Sequence, residues 1–128
     1  MRTRAQLAGE SAEQLVAERL ERAGWRILGR NIRVGRAELD LVAVDPIGPV
    51  LVAVEVRWRC RRDYGLAEET VDWRKRARLR EAMFRLIEHG RLPGGDPLPR
   101  LPLRLDIIGV DVDADGRPSL RHHRAAHA

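Results

Sequence analysis

Apolar side chains at Leu7, Ala12, Leu15, Val16, Leu20 and Ala23 recur at helical spacing, and Gly24 follows as a natural terminator. This predicts a helix over residues 7–23. Residues 25–33 read as a short strand interrupted by Gly29. Residues 39–44 and 50–58 are rich in β-branched side chains and predict two strands. Between them, Asp45-Pro46-Ile47-Gly48 has the chemistry of a tight turn, so the pair is expected to be a hairpin. Residues 60–69 are charged and irregular and read as a surface loop. Asp72 is placed to cap a second helix that runs to His89 and stops at Gly90, with Leu79, Ala82, Met83, Leu86 and Ile87 as its core stripe. Residues 92–102, rich in proline and glycine, form a connection. Residues 103–112 read as a strand and 113–118 as a turn that one more short strand can follow. The order α-β-β-β-α-β predicts an α/β fold, a mixed central sheet flanked by helices. Residues 1–120 are expected to form one domain, with 121–128 a loose basic, His-containing tail.

Alternate residues of a strand share a face, so Glu38 and Asp40 point the same way on one strand, and Glu55 and Arg57 do so on the next. If Asp45 to Gly48 is the turn, Val44 faces Pro49, and Asp40 lies diagonal to Glu55. Glu55 interrupts the otherwise apolar run Val50-Leu51-Val52-Ala53-Val54-Glu55-Val56. A carboxylate in such a strand is costly to desolvate unless a cation meets it. A hard divalent ion such as Mg²⁺ or Mn²⁺, bound by Asp40 and Glu55, is one solution. A salt-bridge cluster with Arg57 is the other.

Composition sharpens this picture in two ways. The net charge is +5 with a sequence pI near 10.8, which suits a polyanionic partner such as nucleic acid. Of 24 basic residues, Lys75 is the single lysine, a bias that sets it apart. The sequence has no apolar run of about 18 residues, so no membrane span is expected. The basic start, Met1 to Arg4, leads into an amphipathic pattern, so a secretory signal is not expected. The one cysteine, Cys60, fits a reducing cytoplasm.

Asp40 followed by Glu55-Val56-Arg57 resembles the D…(D/E)-x-K signature of the PD-(D/E)XK nucleases. Gly9-Glu10, Arg30-Asn31, Glu38-Leu39-Asp40-Leu41-Val42, Val52 to Arg57, Tyr64-Gly65, the stretch 71–79 with Lys75, and Arg104 to Ile108 together resemble the YraN-like family of small bacterial proteins, related in fold to archaeal Holliday-junction resolvases. The resemblance covers roughly residues 5 to 112. It implies a restriction-endonuclease-like core, Asp40 and Glu55 as metal ligands, Glu10 as an auxiliary carboxylate, and Mg²⁺-dependent hydrolysis of DNA, of branched or processed form. By residue type alone, Glu10 is equally well explained as a favourable charge in a first helical turn.

Two departures stand out. Ala37 replaces the family's usual glycine, which matters only if that position needs a positive φ. Arg57 replaces the motif lysine, and an arginine cannot act as a base near neutral pH. Either its task is electrostatic and arginine serves, or cutting has lapsed. Arg61, Arg74, Lys75 and Arg78 are the candidate nucleic-acid contacts, with Trp58 and Tyr64 as stacking groups. Nothing in the sequence is suited to reading base edges. The rival readings are a catalytically silent nucleic-acid-binding module and a basic domain that meets an acidic protein. The oligomeric state is left open, a homodimer included. His122, His123 and His127 are weak candidates for metal ligands.

Overall fold

The structure, a computed structural model, describes residues 3–60 and 65–125. Helix α1 spans Arg4–Arg22. It starts three residues before the apolar pattern because Thr3 and Gln6 form a capping box: the Gln6 N–H donates to Thr3 Oγ1 at 3.1 Å, and the Thr3 N–H donates to Gln6 Oε1 at 2.8 Å. Strands β1 (Arg26–Val34), β2 (Ala37–Asp45) and β3 (Val50–Cys60) follow. A short 3-10 turn at Ala67–Thr70 leads to α2, Trp73–His89. Asp72 caps α2 by accepting the Lys75 N–H at 2.9 Å, and Gly90 closes it in the left-handed region at φ 79°. Strands β4 (Leu103–Val112) and β5 (Pro118–His123) complete the chain.

The five strands form one mixed sheet in the order β1-β2-β3-β4-β5, with β3 and β4 parallel and the other pairs antiparallel. Parallel neighbours need a crossover, and α2 supplies it. Each face of the sheet carries one helix. Val16, Ala17 and Leu20 of α1 pack on Leu41, Ala43, Val52, Val54 and Ile108. Leu79, Ala82, Met83 and Leu86 of α2 pack on Val42, Leu51, Ala53 and Leu105. Ile87, expected on the core stripe, is 39% exposed at the end of α2. Burial on both faces explains why β3 reads as an almost continuous apolar run.

The structure changes three sequence expectations here. The turn between β2 and β3 occupies residues 46–49, and the ladder starts at Asp45↔Val50. Proline has no N–H to give a ladder, so Pro49 joins the turn and the register moves by two residues. The segment from Arg121 to His123 is no loose tail but the end of β5, paired with β4 from Ile107 to Gly109. His122 and His123 are held by carboxylates, His122 Nε2 lying 2.8 Å from Asp106 Oδ2 and His123 Nε2 2.8 Å from Glu68 Oε2. His127 lies outside the described residues. Ala37 pairs with Val34 in the ladder, and it is not among the positive-φ residues, so the alanine is unstrained there.

No helix among the described residues is long and apolar enough to cross a membrane.

Candidate active site

Strands β2 and β3 pair from Asp45↔Val50 to Leu41↔Val54, and there the pairing ends although both strands continue. The next residue on each is a carboxylate, Asp40 on one and Glu55 on the other. Asp40 therefore stands level with Glu55 and not diagonal to it. Its Oδ2 accepts the backbone N–H of Val56 at 2.9 Å, taking the place of a ladder acceptor. On the opposite edge β3 stays paired with β4 as far as Cys60↔Val112. The two strands thus part on one side only, and a cleft of about 570 Å³ opens where they do.

Four carboxylates line this cleft, Glu13, Glu38, Asp40 and Glu55, together with the cations Arg57, Arg59 and Lys75. Glu55 is 4% exposed. Its Oε2 is buried and makes no hydrogen bond, although Arg57 Nη2 lies 3.6 Å from it and Lys75 Nζ 3.8 Å. Both separations exceed a charge-assisted hydrogen bond. Burial raises the Glu55 pKa to about 8; the hydrogen bond to Asp40 and its negative charge add to this, while Arg57 and Lys75 oppose it. A salt-bridge cluster that fully satisfied Glu55 would hold its pKa down, not up.

Helix α1 contributes differently from expectation. Glu10 is exposed and does not line the cleft. Glu13, one turn further on, does. Its pKa is raised to about 7, first by burial and then by the charges of Asp40, Glu38 and Glu10. Asn31 stands level with Asp40 in the β1–β2 ladder, at φ 50°, in the left-handed region that asparagine tolerates. With its amide turned to donate, it reaches Glu13 Oε2 at 3.0 Å and Glu38 Oε1 at 3.3 Å. Sequence reasoning singles out neither Glu13 nor Asn31 for the site. For Glu13 a signal exists: it lies three and four residues before the buried Val16 and Ala17, which puts a carboxylate on the sheet-facing stripe.

The remaining wall comes from the turn at Ala67–Thr70, which is pinned to the sheet. Arg121 donates to Glu68 from Nε at 2.6 Å and from Nη2 at 2.8 Å, and it also holds Asp111. Together with burial, which works against them, these bonds leave the Glu68 pKa at about 2. Glu68 lies across Gly109, where a Cβ would come within 2.1 Å of Glu68 Oε1. Trp58 also lines the cleft, against Gly9 of α1.

The candidate nucleic-acid residues divide. Lys75 lines the cleft, and Arg78 lines a neighbouring groove that Lys75 shares. Arg74 lines neither; its guanidinium stacks over the exposed Trp73 ring at 5.3 Å. Arg61 and Tyr64 lie outside the described residues.

Among the described residues no three His, Cys, Asp or Glu side chains converge at metal-ligating distance. The residues that could share a cation are Asp40 and Glu55, which stand level on β2 and β3 and line the cleft. Two carboxylates suit Mg²⁺, which keeps several waters and often takes its remaining ligands from substrate phosphate. The buried Glu55 Oε2, lacking a hydrogen bond, is the atom such an ion would satisfy.

The family described as "Uncharacterised protein family UPF0102" matches residues 12–110. A UPF0102 protein of Pelotomaculum thermopropionicum is 39% identical over 117 residues, 91% of each chain. One from Symbiobacterium thermophilum is 41% identical over 109 residues, 85% of this chain and 86% of that one. One from Pseudomonas syringae is 36% identical over 125 residues, 98% and 96% of the two chains. Among solved structures, Pyrococcus furiosus SfsA in complex with Ca²⁺ is similar at a TM-score of 0.42 and 15% identity, covering 97% of this chain and 65% of that one.

Proposed function

The chain belongs to the uncharacterised protein family UPF0102, the YraN-like family, and we propose that it is a nuclease of the PD-(D/E)XK type, using Mg²⁺ or Mn²⁺ to cut DNA of branched or processed form. One observation carries this reading. Where β2 and β3 part, Asp40 and Glu55 face a single cleft, and a buried oxygen of Glu55 has no hydrogen-bond donor although two cations stand near it. A structural ion pair gains nothing from that arrangement, because leaving a buried acceptor unsatisfied costs the full desolvation of the group. A site that exchanges a proton for a metal ion, and then meets a phosphodiester, uses all of it.

Asp40 and Glu55 are the residues that would hold the ion. When bound, Mg²⁺ supplies Lewis-acid polarisation of a phosphoryl oxygen and lowers the pKa of water. The protein's own groups do the rest. Asp40 is oriented by the Val56 N–H, which it accepts through Oδ2, and it lines the cleft. Arg57 and Lys75, about one-third exposed each, bind phosphate oxygens from two elements, one from β3 and one from α2. Arg57 keeps its charge throughout. Lys75 is the cation of the pair that is able to give or accept a proton, so the lysine that position 57 lacks is available from α2.

Arg57 itself favours a second reading, a module that binds nucleic acid with a silent site. Metal-dependent cleavage of linear, flapped and four-way DNAs separates the two. Thermal melts test the metal site directly. Mg²⁺ or Mn²⁺ should raise the melting temperature of the wild type, and Asp40→Asn should abolish that gain. No shift in the wild type, with a destabilised Asp40→Asn, would return the cluster to a plain salt bridge and end the nuclease reading.

A further inference from the structure

A second concavity, of about 760 Å³, lies beside the first. One wall is the end of β1 with the turn that follows it, carrying Arg33 and Arg36; the other is α2, carrying Lys75, Arg78 and Arg85. Glu38 and Lys75 line both concavities, so the groove opens into the carboxylate cleft. Its five cations face two carboxylates, Glu38 and Glu81. The ion pairs of those carboxylates are weak, although Glu38 also accepts from Asn31. Arg33 meets Glu38 at 3.4 Å and Arg85 meets Glu81 at 3.3 Å, both pairs well exposed, and exposed pairs of this kind are weakly held in water. A phosphate can replace either carboxylate as the partner of its arginine.

The turn and the helix are brought together by a specific contact. Gly35 adopts φ 60°, which a side chain resists, and a Cβ there would lie 3.1 Å from Arg85 Nη1. The Arg85 guanidinium thus lies beside the bare turn. Between the arginines the lining is small or apolar, with Val34, Ala37 and Ala82. No Asn or Gln lines it, so the side chains that pair with an adenine edge are missing from its lining, and charge dominates.

We propose that this groove is the track along which the sugar–phosphate backbone of a nucleic acid leaves the carboxylate cleft, with Arg33, Arg36, Arg78 and Arg85 meeting successive phosphates. The proposal rests on the reading of the cleft as a phosphodiester site, and it assigns the substrate's path beyond it. The β1–β2 turn, which carries none of the contacts expected from sequence, is half of the binding surface.

The test is binding of a labelled DNA of about 20 base pairs across a salt series in EDTA, a length that spans several phosphates on each strand. Two variants carry the same change of charge. Arg36→Gln with Arg78→Gln removes one exposed arginine from each wall of the groove. Arg19→Gln with Arg22→Gln removes two exposed arginines from the last turn of α1, on the other face of the sheet. The groove pair should bind tenfold or more weakly at about 50 mM salt, and its log–log salt slope should flatten by roughly 0.9 for each phosphate that is no longer neutralised. The α1 pair should bind as the wild type does. Equal weakening in the two variants, no weakening in the groove pair, or a wild type that binds no DNA would each overturn the proposal. Metal melts on the same proteins separate it from the cleft reading. A groove pair that keeps the Mg²⁺-induced shift and fails to hold DNA supports both. A wild type without a metal shift, whose DNA binding is still sensitive to the groove, removes the cleft reading and leaves the groove as a binding surface.

Discussion

Lys75 Nζ lies 3.8 Å from Glu55 Oε2, reaching it from α2, whereas Arg57 reaches the same oxygen from β3. It is the single lysine of the protein, and it shares Glu55 with an arginine, a cation of a different kind. Lys75→Arg keeps the charge and removes the proton transfer. It should retain DNA affinity while single-turnover cleavage falls by roughly 10²–10⁴, the usual contribution of general acid–base catalysis. Arg57→Lys should preserve or increase cleavage. If Lys75→Arg cuts at the wild-type rate, charge alone is the contribution of Lys75.

The raised pKa values make the metal-free protein less stable in alkali. Glu55, at about 8, and Glu13, at about 7, bind protons in the folded state that the unfolded chain has released above its own value of 4.5. The folded state holds more protons throughout that window, so stability falls as pH rises from about 4.5 to about 8. Glu68, Asp45 and Asp106 have lowered pKa values and act in the opposite sense: their stabilisation is present above the ordinary carboxylate range and is lost as pH falls through their folded values. Denaturant unfolding in EDTA should therefore find the maximum at roughly pH 5. Glu55→Gln should flatten the alkaline limb by an amount on the order of a few kcal/mol. Mg²⁺ competes with the Glu55 proton, so its stabilising effect should be larger at about pH 8.5 than at about pH 5.5. An alkaline limb unchanged in Glu55→Gln would show that Glu55 is not the group responsible.

Gly109 is required by its neighbour. A methyl group there would collide with the Glu68 carboxylate, displace it from Arg121 and loosen the turn at Ala67–Thr70. Gly109→Ala should cost about 1–3 kcal/mol, as overpacking does, and more if the buried ion pair is broken. Combining it with Glu68→Ala, which removes the collision, should cost less than the sum of the two single changes. Chemical denaturation of the two single variants and the double variant measures this coupling; strict additivity would contradict it.

Away from the cleft, Arg104 donates to Asp45 at 2.7 Å and to Asp106 at 2.8 and 3.0 Å, and both acids are almost completely buried. Arg104→Met removes the shared guanidinium from two buried carboxylates, leaving Asp45 with Arg124 at 3.9 Å. A destabilisation of about 3–5 kcal/mol is expected, in line with breaking one side of a buried pair. The metal-induced shift in melting temperature should survive, since none of Asp45, Arg104 and Asp106 lines the cleft. A small stability change would mean that His122 and the Ala125 N–H, which also reach Asp106, suffice to hold it.

Most secondary structure is legible in the sequence because its signals are local. The 3.6-residue stripe of α1, the cap and stop of α2 at Asp72 and Gly90, and the β-branched runs of β2, β3 and β4 each act within one or two turns of chain. The same alternation sets Glu38, Asp40, Glu55 and Arg57 on one face. Local signals mislead at the edges. The apolar stripe of α1 begins later than the helix does, because the helix is started by the polar Thr3–Gln6 capping box. Polar β5 has the composition of a tail, and its strand character comes from pairing with β4.

Tertiary structure decided the rest, because it depends on contacts that no local period encodes. Register follows from where Pro49 sits, and two residues of shift turn Asp40 from a diagonal neighbour of Glu55 into its opposite. The docking of α1 on the sheet brings Glu13 and not Glu10, two carboxylates one turn apart, to the lining of the cleft. The crossover through α2 brings Lys75 back to Glu55, and the contact of Arg85 with the bare turn at Gly35 makes two separate basic segments into one groove. Residue type and alternation thus determined which groups were available and which way the strands pointed them. Strand register and helix docking, which are set by long-range pairing and burial, decided which of those groups meet.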